Sequence, residues 1–384
     1  MNRIIVVPCI SATAARSTSV DCGVWRAAMA TILVVLASVP AACGRMDDQE
    51  DIGVSWGDLG AFAGWINVPN GTLRARPALV KSETVGTTVL GIGGDFNIWM
   101  TNNNNPGRQW NGIWLRISDF GDSAATDVAA TGFIGEAVRD LGNYAAIVVN
   151  RSHSLVIKIQ DLTQVGSDIW HTIPGQPAGG ICGRPAITYS PRSSAAAPRR
   201  TVVLVALGCD GAAYTARLTL TSEGSFEHDR WTSFTRIGTE SFNFGMAITW
   251  ACPANASAAS LVAASGNLNG DGSRSDVFIR FIGGRWGAWS SVLGGIFKGG
   301  SASGGPALAT ACAEFDREIS LFDIGLDGRI WVSTQISSNK FGFSPIGTNT
   351  FPDLGGDAVA IPGGVMVAAI DGSALPFSNF AVSP

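Results

Sequence analysis

A repeat of roughly 55 residues is the feature that most constrains what this chain can fold into. Each copy opens with an aromatic residue, then two further residues and an aliphatic one. These opening aromatics are Trp56, Trp114, Trp170, Phe234, Trp289 and Phe343. A small, alanine-containing apolar run follows each of them, and a run of β-branched or aliphatic residues comes next. Such self-similarity predicts a set of equivalent supersecondary units.

A tight turn follows the aliphatic run in most units. An aspartate and an aromatic residue are separated by four positions in three of these turns: Asp95 and Trp99, Asp210 and Tyr214, Asp327 and Trp331. Because Asp-Gly supplies two neighbouring residues that accept positive φ, the turns predict type I′ hairpins. The aromatic residue then lies on a strand, where its ring can cover a neighbouring sheet.

Four strand signals in each of six units predict an all-β fold, a β-propeller of six four-stranded blades over residues 56–384. Seven blades is the alternative count, and a β-sandwich is the alternative architecture. The alanine-containing strand is expected innermost, because strands crowd near the axis. The last unit lacks its own outermost strand. We therefore expect the N-terminal segment at Trp56 to supply that strand and close the ring, which removes exposed sheet edges.

Residues 1–43 are predicted to form a targeting leader. Ala27–Val39 is an apolar run with the length of a signal-peptide core, too short to span a bilayer comfortably. Ala41-Ala42-Cys43 resembles the end of a bacterial lipobox, whose cysteine carries the lipid of the mature protein. An exported envelope lipoprotein is expected, held to the membrane only by that lipid. Plain secretion and an uncleaved anchor are the alternatives. An acidic tether, residues 44–55, follows the leader.

Charge and residue usage exclude some function classes. The 384 residues include 26 Lys and Arg against 30 Asp and Glu, a net charge of −4, and no basic stripe is available for phosphates. Nucleic acid is therefore not expected as a partner. The 3 histidines fall in different units without a nucleophile motif. The protein is expected not to be an enzyme, and a sialidase-like glycosidase is the weaker alternative.

The fifth unit resembles the PLL-like bacterial propeller lectins. Its stretch "WSSVLGGIFKGGSASGGPALAT", which begins at Trp289, and "ISLFDIGLDGRIW", which ends at Trp331, follow the order of that family's repeat. The resemblance implies fucose-like sugars bound between blades, and the family usually has seven of them. Carbohydrate binding at the cell surface is therefore the expected function. A protein–protein interaction scaffold for envelope proteins is the alternative.

Tryptophans are the expected sugar contacts, because the apolar face of a pyranose suits an indole ring. Repeat-phased tryptophans are expected to pack between blades, and these are Trp99, Trp114, Trp170, Trp289 and Trp331. Trp65, Trp110 and Trp286 fall outside the repeat register. These three and Trp331 are the candidate carbohydrate-binding residues.

The stretch "GNLNGDGSRSD", residues 266–276, replaces the short turn of the fourth unit. Asn267, Asn269, Asp271 and Asp276 supply oxygen atoms around a glycine. The pattern resembles the Ca²⁺ loops of FG-GAP-type propellers, in which alternating oxygen ligands wrap a hard cation. A calcium site is one prediction for this stretch, and an elongated polar hairpin is the other.

Four cysteines within the repeat region suggest disulfides in an exported chain. Cys182 precedes an inner strand and Cys209 ends the next strand of the same unit, so antiparallel pairing should bring them together. Cys252 and Cys312 occupy equivalent positions in adjacent units and could form a second bridge between blades. No CxxC motif or local Cys/His cluster occurs, so zinc is not expected.

Overall fold

The structure is a computed structural model of the chain. It describes residues 9–10, 61–62, 66–68, 73–82, 86–103, 113–118, 124, 126–132, 144–160, 170–189, 201–219, 230–251, 260–282, 285–292, 297–298, 305–310, 319–337, 340–351, 357–361, 364–371 and 379–382. Every regular element among these residues is a β-strand, and none of the described residues belongs to a helix able to cross a membrane. Apart from residues 9–10, the predicted leader and tether lie outside the described residues.

Six antiparallel sheets contain nearly all of the strands. Two short N-terminal strands, β1 (Cys9–Ile10) and β2 (Ala61–Phe62), pair with each other. Blade 1 has β4 (Ala78–Ser82), β5 (Gly86–Ile92), β6 (Ile98–Asn103) and β7 (Leu115–Arg116). Blade 2 has β8 (Ala129–Gly132), β9 (Tyr144–Val149), β10 (Leu155–Gln160) and β11 (His171–Thr172). Blade 3 has β12 (Ala186–Tyr189), β13 (Thr201–Leu207), β14 (Ala212–Thr219) and β15 (Thr235–Ser241).

The remaining three blades repeat this order with two variations. Blade 4 has β16 (Ala247–Ala251), β17 (Ser260–Leu268) and β18 (Ser273–Ile282), and its outer edge is split into β19 (Arg285–Trp286), β20 (Ser290–Ser291) and β21 (Phe297–Lys298). Blade 5 has β22 (Ala307–Thr310), β23 (Ile319–Ile324), β24 (Arg329–Ser337) and β25 (Lys340–Thr350). Blade 6 has β26 (Asp357–Ile361), β27 (Gly364–Asp371), β28 (Asn379–Val382) and β3 (Ile66–Asn67).

The second strand of blade 2, β9, is apolar along its whole length because neighbouring blades cover both of its faces. In β9, Ala146 and Val148 pack in a cluster with blade 1, while Ile147 and Val149 pack in a cluster with blade 3. Successive side chains of a strand point to opposite faces, so both sets must be apolar. This explains runs such as YAAIVV, in which all six residues are buried.

The innermost strands form a closed ring, which confirms the predicted six-bladed propeller. Each of β4, β8, β12, β16, β22 and β26 contacts the next, and β26 contacts β4. An N-terminal strand completes the last blade, as predicted, because β3 pairs with β28 through Ala381 opposite Asn67 and Val382 opposite Ile66.

The predicted start of the closing strand, Trp56, was wrong. Trp56 lies outside the described residues, and the closing strand is β3, which directly follows Trp65 in the sequence. Trp65 and Val68 themselves fit the aromatic-x-x-aliphatic pattern. The pattern occurs twice near the N-terminus, and only hydrogen bonding to the distant β28 selects the second copy. Trp65 is therefore in the repeat register, contrary to the sequence expectation.

Buried arginines join different blades where the innermost strands begin. Arg76 is 1% exposed and donates from its guanidinium to the carbonyls of Gly305 (2.7 Å) and Pro306 (3.3 Å) in blade 5. Arg184 donates to the carbonyl of Val128 at 3.4 Å. The backbones approach so closely here that a Cβ on Gly305 would lie 2.7 Å from the Gly245 carbonyl oxygen. Arg76 therefore links blades 1 and 5 at this end of the propeller, and Arg184 links blades 2 and 3.

Candidate functional site

Five hairpin turns with the same backbone geometry lie on one face of the propeller, the face where the innermost strands begin. They join the second and third strands of blades 1 to 5, and we call this the turn face. In each turn the first residue accepts a hydrogen bond from the amide three residues later, as in Phe96 N to Gly93 O (3.0 Å) and Gly328 N to Gly325 O (2.9 Å). The equivalent first residues are Gly93, Asn150, Gly208, Asn269 and Gly325.

The prediction of type I′ turns was wrong, because each turn has one residue with positive φ instead of two. That residue is a glycine in blades 3, 4 and 5, with φ of 77°, 81° and 77°, and it is Phe96 or His153 in blades 1 and 2. A type I turn followed by one left-handed residue matches this pattern. In blades 1, 3, 4 and 5 the preceding residue is an aspartate without positive φ, and its side chain accepts a backbone hydrogen bond, as in Asp210 Oδ1 from Ala212 N at 3.0 Å.

Three of the turns also bind the aromatic ring of the following strand. Trp99 Nε1 donates to Asp95 Oδ1 at 3.0 Å, and Trp331 Nε1 donates to Asp327 Oδ1 at 3.0 Å. In blade 3 the Tyr214 hydroxyl donates to Asp210 Oδ2 at 2.7 Å. All three rings are half-buried and their aspartates are exposed. The constant separation of four therefore reflects a carboxylate that holds an aromatic ring at the turn face.

Each of these rings lies close against the glycine that opens its turn. A Cβ on Gly208 would lie 2.7 Å from the Tyr214 ring, and a Cβ on Gly325 would overlap the Trp331 indole. Any larger residue at these positions would displace the ring. The glycine and the aspartate together fix where the aromatic ring lies, and the sequence Gly-x-Asp-x-x-x-aromatic encodes that arrangement.

An arginine stands beside each of the three rings. Arg116 on β7 is the cross-strand partner of Trp99, and Arg236 on β15 is the cross-strand partner of Tyr214. Arg329 Nε donates to Asp327 Oδ2 at 2.5 Å, and its guanidinium carbon lies 5.6 Å from the Trp331 ring centroid. We call these three groups the aromatic–carboxylate clusters: Asp95, Trp99 and Arg116; Asp210, Tyr214 and Arg236; Asp327, Arg329 and Trp331.

Hydrogen bonds within these clusters lower the pKa of each aspartate. The hydrogen bond from Tyr214 is the largest cause that lowers the pKa of Asp210, and the same bond raises the pKa of Tyr214. Burial acts to raise the pKa of Asp327, but hydrogen bonds from Trp331 and Arg329 outweigh it, and the pKa lies below its ordinary value. Each cluster therefore combines a charged acceptor, a charged donor and an aromatic face, which suits a ligand with hydroxyl groups and an apolar C–H face.

Only one of the four residues predicted to contact sugar belongs to these clusters. Trp331 belongs to one of them. Trp286, on β19, is half-buried and packs against the core between blades 3 and 4. Trp65 and Trp110 lie outside the described residues. Sequence reasoning assigned Trp99 to packing and did not single out Tyr214, although the shared spacing from aspartate to aromatic was the available signal.

The predicted calcium ligands are divided between the turn and the two faces of the sheet. Asp271 Oδ1 accepts from Ser273 N (2.9 Å), and Asn269 donates to the hydroxyls of Ser273 and Ser275 at 2.8 and 3.0 Å. Asn267 lies opposite Ser275, while the next residue, Asp276, lies opposite Gly266. Asn267 and Asp276 therefore project from opposite faces.

Asp276 instead belongs to a buried charge cluster between blades 4 and 5. Arg274 Nε donates to Asp276 Oδ1 at 3.1 Å, and the same guanidinium pairs with Asp323 on β23. The three side chains are 2% exposed or less. Burial raises the pKa of Asp276 well above its usual range, and the nearby Asp323 carboxyl raises it further, although Arg274 opposes the shift.

The predicted disulfide between Cys182 and Cys209 is confirmed, with a Cα–Cα distance of 4.8 Å. The structure also brings His153 of blade 2 to it, with Nδ1 3.5 Å from the Cys182 sulfur. These three side chains offer metal-ligand atoms within 4.8 Å of one another. The sulfurs are bonded to each other, so they are not available as thiolate ligands. Cys43, Cys252 and Cys312 lie outside the described residues.

No protein-family model matches this sequence, and no curated protein matches it. Solved structures do match its fold. A mutant of AofleA from Arthrobotrys oligospora superposes with a TM-score of 0.51 and 13% identity, over 79% of this chain and 81% of that chain. The SapL1 lectin in complex with α-methyl fucoside gives a TM-score of 0.51 and 14% identity, over 80% and 92%. The Hadza microbial sialidase Hz136 gives 0.51 and 11%, over 84% and 70%.

Proposed function

We propose that this protein is a lectin-like β-propeller that binds fucose-like glycans at the aromatic–carboxylate clusters of its turn face. The observation that carries the proposal is the recurrence, in blades 1, 3 and 5, of a half-buried aromatic ring held by an aspartate beside an arginine. The ring offers a surface for the apolar side of a sugar, and the charged groups pair with hydroxyls. The PLL-like resemblance of residues 289–331 and the fold shared with SapL1, which holds α-methyl fucoside, support fucose as the sugar class.

Calorimetry with methyl α-L-fucoside tests this proposal. We expect binding with about three sugars per chain, because three blades carry a complete cluster. Asp327→Asn should weaken its own site roughly 10- to 100-fold, the range expected when a charged hydrogen-bond acceptor becomes neutral. Asp271→Asn is the matched control. Asp271 occupies the same turn position, but Ser275 stands where blades 1, 3 and 5 have the aromatic ring.

The proposal would be contradicted if calorimetry detected no heat of binding with fucosides or with a panel of neutral monosaccharides. A glycan array that remains silent would instead favour the scaffold function. Ile113 and Leu115, which are 62% and 54% exposed at the outermost strand of blade 1, are the observation that supports such a scaffold. Cross-linking to envelope proteins at these two residues would then be the positive result.

We propose that the protein binds sugar without cleaving it. The fold shared with a sialidase makes a glycosidase the competing activity. A tyrosine nucleophile must lose its proton, and the hydrogen bond to Asp210 raises the pKa of Tyr214. Tyr144 is 2% exposed and directs its hydroxyl to Met100 Sδ at 3.5 Å. We expect no release of 4-methylumbelliferone from its sialoside, and enzyme-dependent release would establish the glycosidase.

We further propose that the protein is exported and held at the bacterial envelope through lipid on Cys43. The Cys182–Cys209 disulfide supports an oxidising compartment. Wild-type protein should label with radioactive palmitate and sediment with membranes, whereas Cys43→Ser should be unlabelled and should fold normally. Unlabelled wild-type protein in the medium would instead mean plain secretion.

Calcium at residues 267–276 remains a proposal with a reduced ligand set, in which Asn269 and Asp271 in the turn would hold the ion without Asp276. Titration with Ca²⁺ in chelator-treated buffer should raise the melting temperature of wild-type protein and not that of Asp271→Asn. An equal response in both proteins would leave the elongated hairpin as the correct description.

A further inference from the structure

Two arginines from different blades converge on one phenylalanine at the turn face. The guanidinium carbon of Arg74, which precedes the innermost strand of blade 1, lies 3.6 Å from the centroid of the Phe96 ring. The guanidinium carbon of Arg151, in the β9–β10 turn of blade 2, lies 4.8 Å from the same centroid. One ring therefore gathers two positive charges at the junction of blades 1 and 2, and the charge of Arg151 acts on Arg74.

Phe96 holds this place in an unfavourable backbone conformation. Its φ is 64°, whereas the equivalent residues of blades 3, 4 and 5 are Gly211, Gly272 and Gly328. A bulky residue in the left-handed region is an outlier, and such outliers persist where the surroundings enforce them and occur often at ligand sites. The turn tolerates glycine here in three other blades, so folding alone does not require an aromatic ring at this position.

The two charges have no acidic partner among the residues that the structure describes. Both oxygens of the nearest turn carboxylate, Asp95, already accept hydrogen bonds from Asn97 and Trp99. Arg74 is half-buried and Arg151 is exposed, so a ligand can approach from solvent. Burial lowers the pKa of Arg74, and the neighbouring charge of Arg151 lowers it further. A guanidinium carries a positive charge at neutral pH, so a bound anion would relieve the repulsion between the two side chains.

We propose that Arg74 and Arg151 form an oxyanion subsite, with Phe96 as its floor, for the sulfate or carboxylate group of a charged glycan. This inference rests on the proposed lectin function and specifies its ligand as an acidic saccharide. A planar guanidinium donates paired hydrogen bonds to the oxygens of a sulfate or carboxylate. Two guanidinium groups can therefore donate three or four hydrogen bonds to one such anion. The Asp95, Trp99 and Arg116 cluster of the same blade supplies the adjoining contact for the neutral part of the sugar.

The first experiment uses inorganic sulfate and does not depend on any sugar. Melting of the mature chain is compared in sodium sulfate and in sodium chloride of equal ionic strength. Sulfate should raise the melting temperature of wild-type protein more than that of Arg151→Gln or of Arg74→Gln combined with Arg151→Gln. Arg285→Gln is the matched control, since it removes an exposed arginine from blade 4. Equal responses in all four proteins would overturn the oxyanion subsite.

The second experiment identifies the source of the anion. Three glycans with a common fucosylated core are compared, one neutral, one sulfated and one carrying a carboxylate sugar. Wild-type protein should bind one charged glycan roughly tenfold more tightly than the neutral one, and raising the salt concentration should reduce that ratio. Arg151→Gln should lose the preference and keep the affinity for the neutral glycan.

The two experiments separate failure of the subsite from failure of the lectin proposal. Equal affinity of wild-type protein for all three glycans would overturn the acidic-saccharide assignment and leave neutral sugar binding intact. A sulfate response without binding of any glycan would overturn the lectin function and this assignment, while retaining the oxyanion-binding arginines.

Discussion

Replacing Asp276 by asparagine should abolish a pH dependence of stability that the buried charge cluster imposes. Asp276 is 0% exposed, and its pKa in the folded state lies well above the value in an unfolded chain. Between those two pKa values the folded state binds about one proton more than the unfolded state. The free energy of unfolding therefore falls as pH rises, by at most about 1.4 kcal/mol per pH unit. This contribution is fully present below the unfolded pKa and is lost as pH rises through the folded pKa.

Urea unfolding followed by tryptophan fluorescence, at half-unit steps from pH 4 to pH 8, measures this slope directly. Asp276→Asn keeps the size of the side chain and removes its titration. The free energy of unfolding of the variant should therefore lack the decrease with rising pH that Asp276 causes. Asp271→Asn is the control in the same hairpin. Hydrogen bonds from Ser273 lower the pKa of Asp271, so its contribution has the opposite sign and is lost as pH falls through the folded pKa. Identical slopes for wild-type protein and Asp276→Asn would mean that Asp276 is ionised in the folded state.

Three further perturbations test the packing of the turn face. Trp331→Ala should reduce the free energy of unfolding by about 3 kcal/mol, since a half-buried indole and its hydrogen bond are lost; an unchanged melting temperature would contradict this. Gly325→Ala should cost about 1–3 kcal/mol by overlap with that indole, whereas Gly270→Ala, which meets no atom within 4 Å, should be nearly neutral, and equal effects would refute the overlap. Cys182→Ser with Cys209→Ser should cost about 3–4 kcal/mol in urea unfolding, from the closed loop of 27 residues, and unchanged stability would show that the bridge is dispensable.

The arrangement of the blades could be predicted from the sequence because each unit carries its own strand pattern. The innermost alanine-containing strands and the aromatic residues that precede the outer strands follow from local spacing. The position of the closing strand could not be predicted in this way. Trp56 and Trp65 begin similar patterns, and the choice between them depends on pairing with β28. Local patterns identify strands, whereas their partners are fixed by hydrogen bonds between distant parts of the chain.

The candidate site was less predictable because its side chains meet across strands and blades. The Gly-x-Asp-x-x-x-aromatic spacing was visible in the sequence, but the partners Arg116 and Arg236 come from the next strand. The meeting of Arg74, Phe96 and Arg151 depends on two neighbouring blades. Asp276 looked like a calcium ligand, yet the register of β17 with β18 directs it into the interior. One residue of register decides which face a side chain occupies.

The pairing of β3 with β28 has a consequence for how copies of this protein interact during refolding. Until β28 docks, β3 has no partner from its own chain, and β27 presents an open edge. A second unfinished copy offers the same two segments, so reciprocal exchange can yield an entangled dimer whose twelve blades are each complete. We expect the proportion of this dimer to increase with protein concentration during renaturation, while dilute renaturation yields monomers.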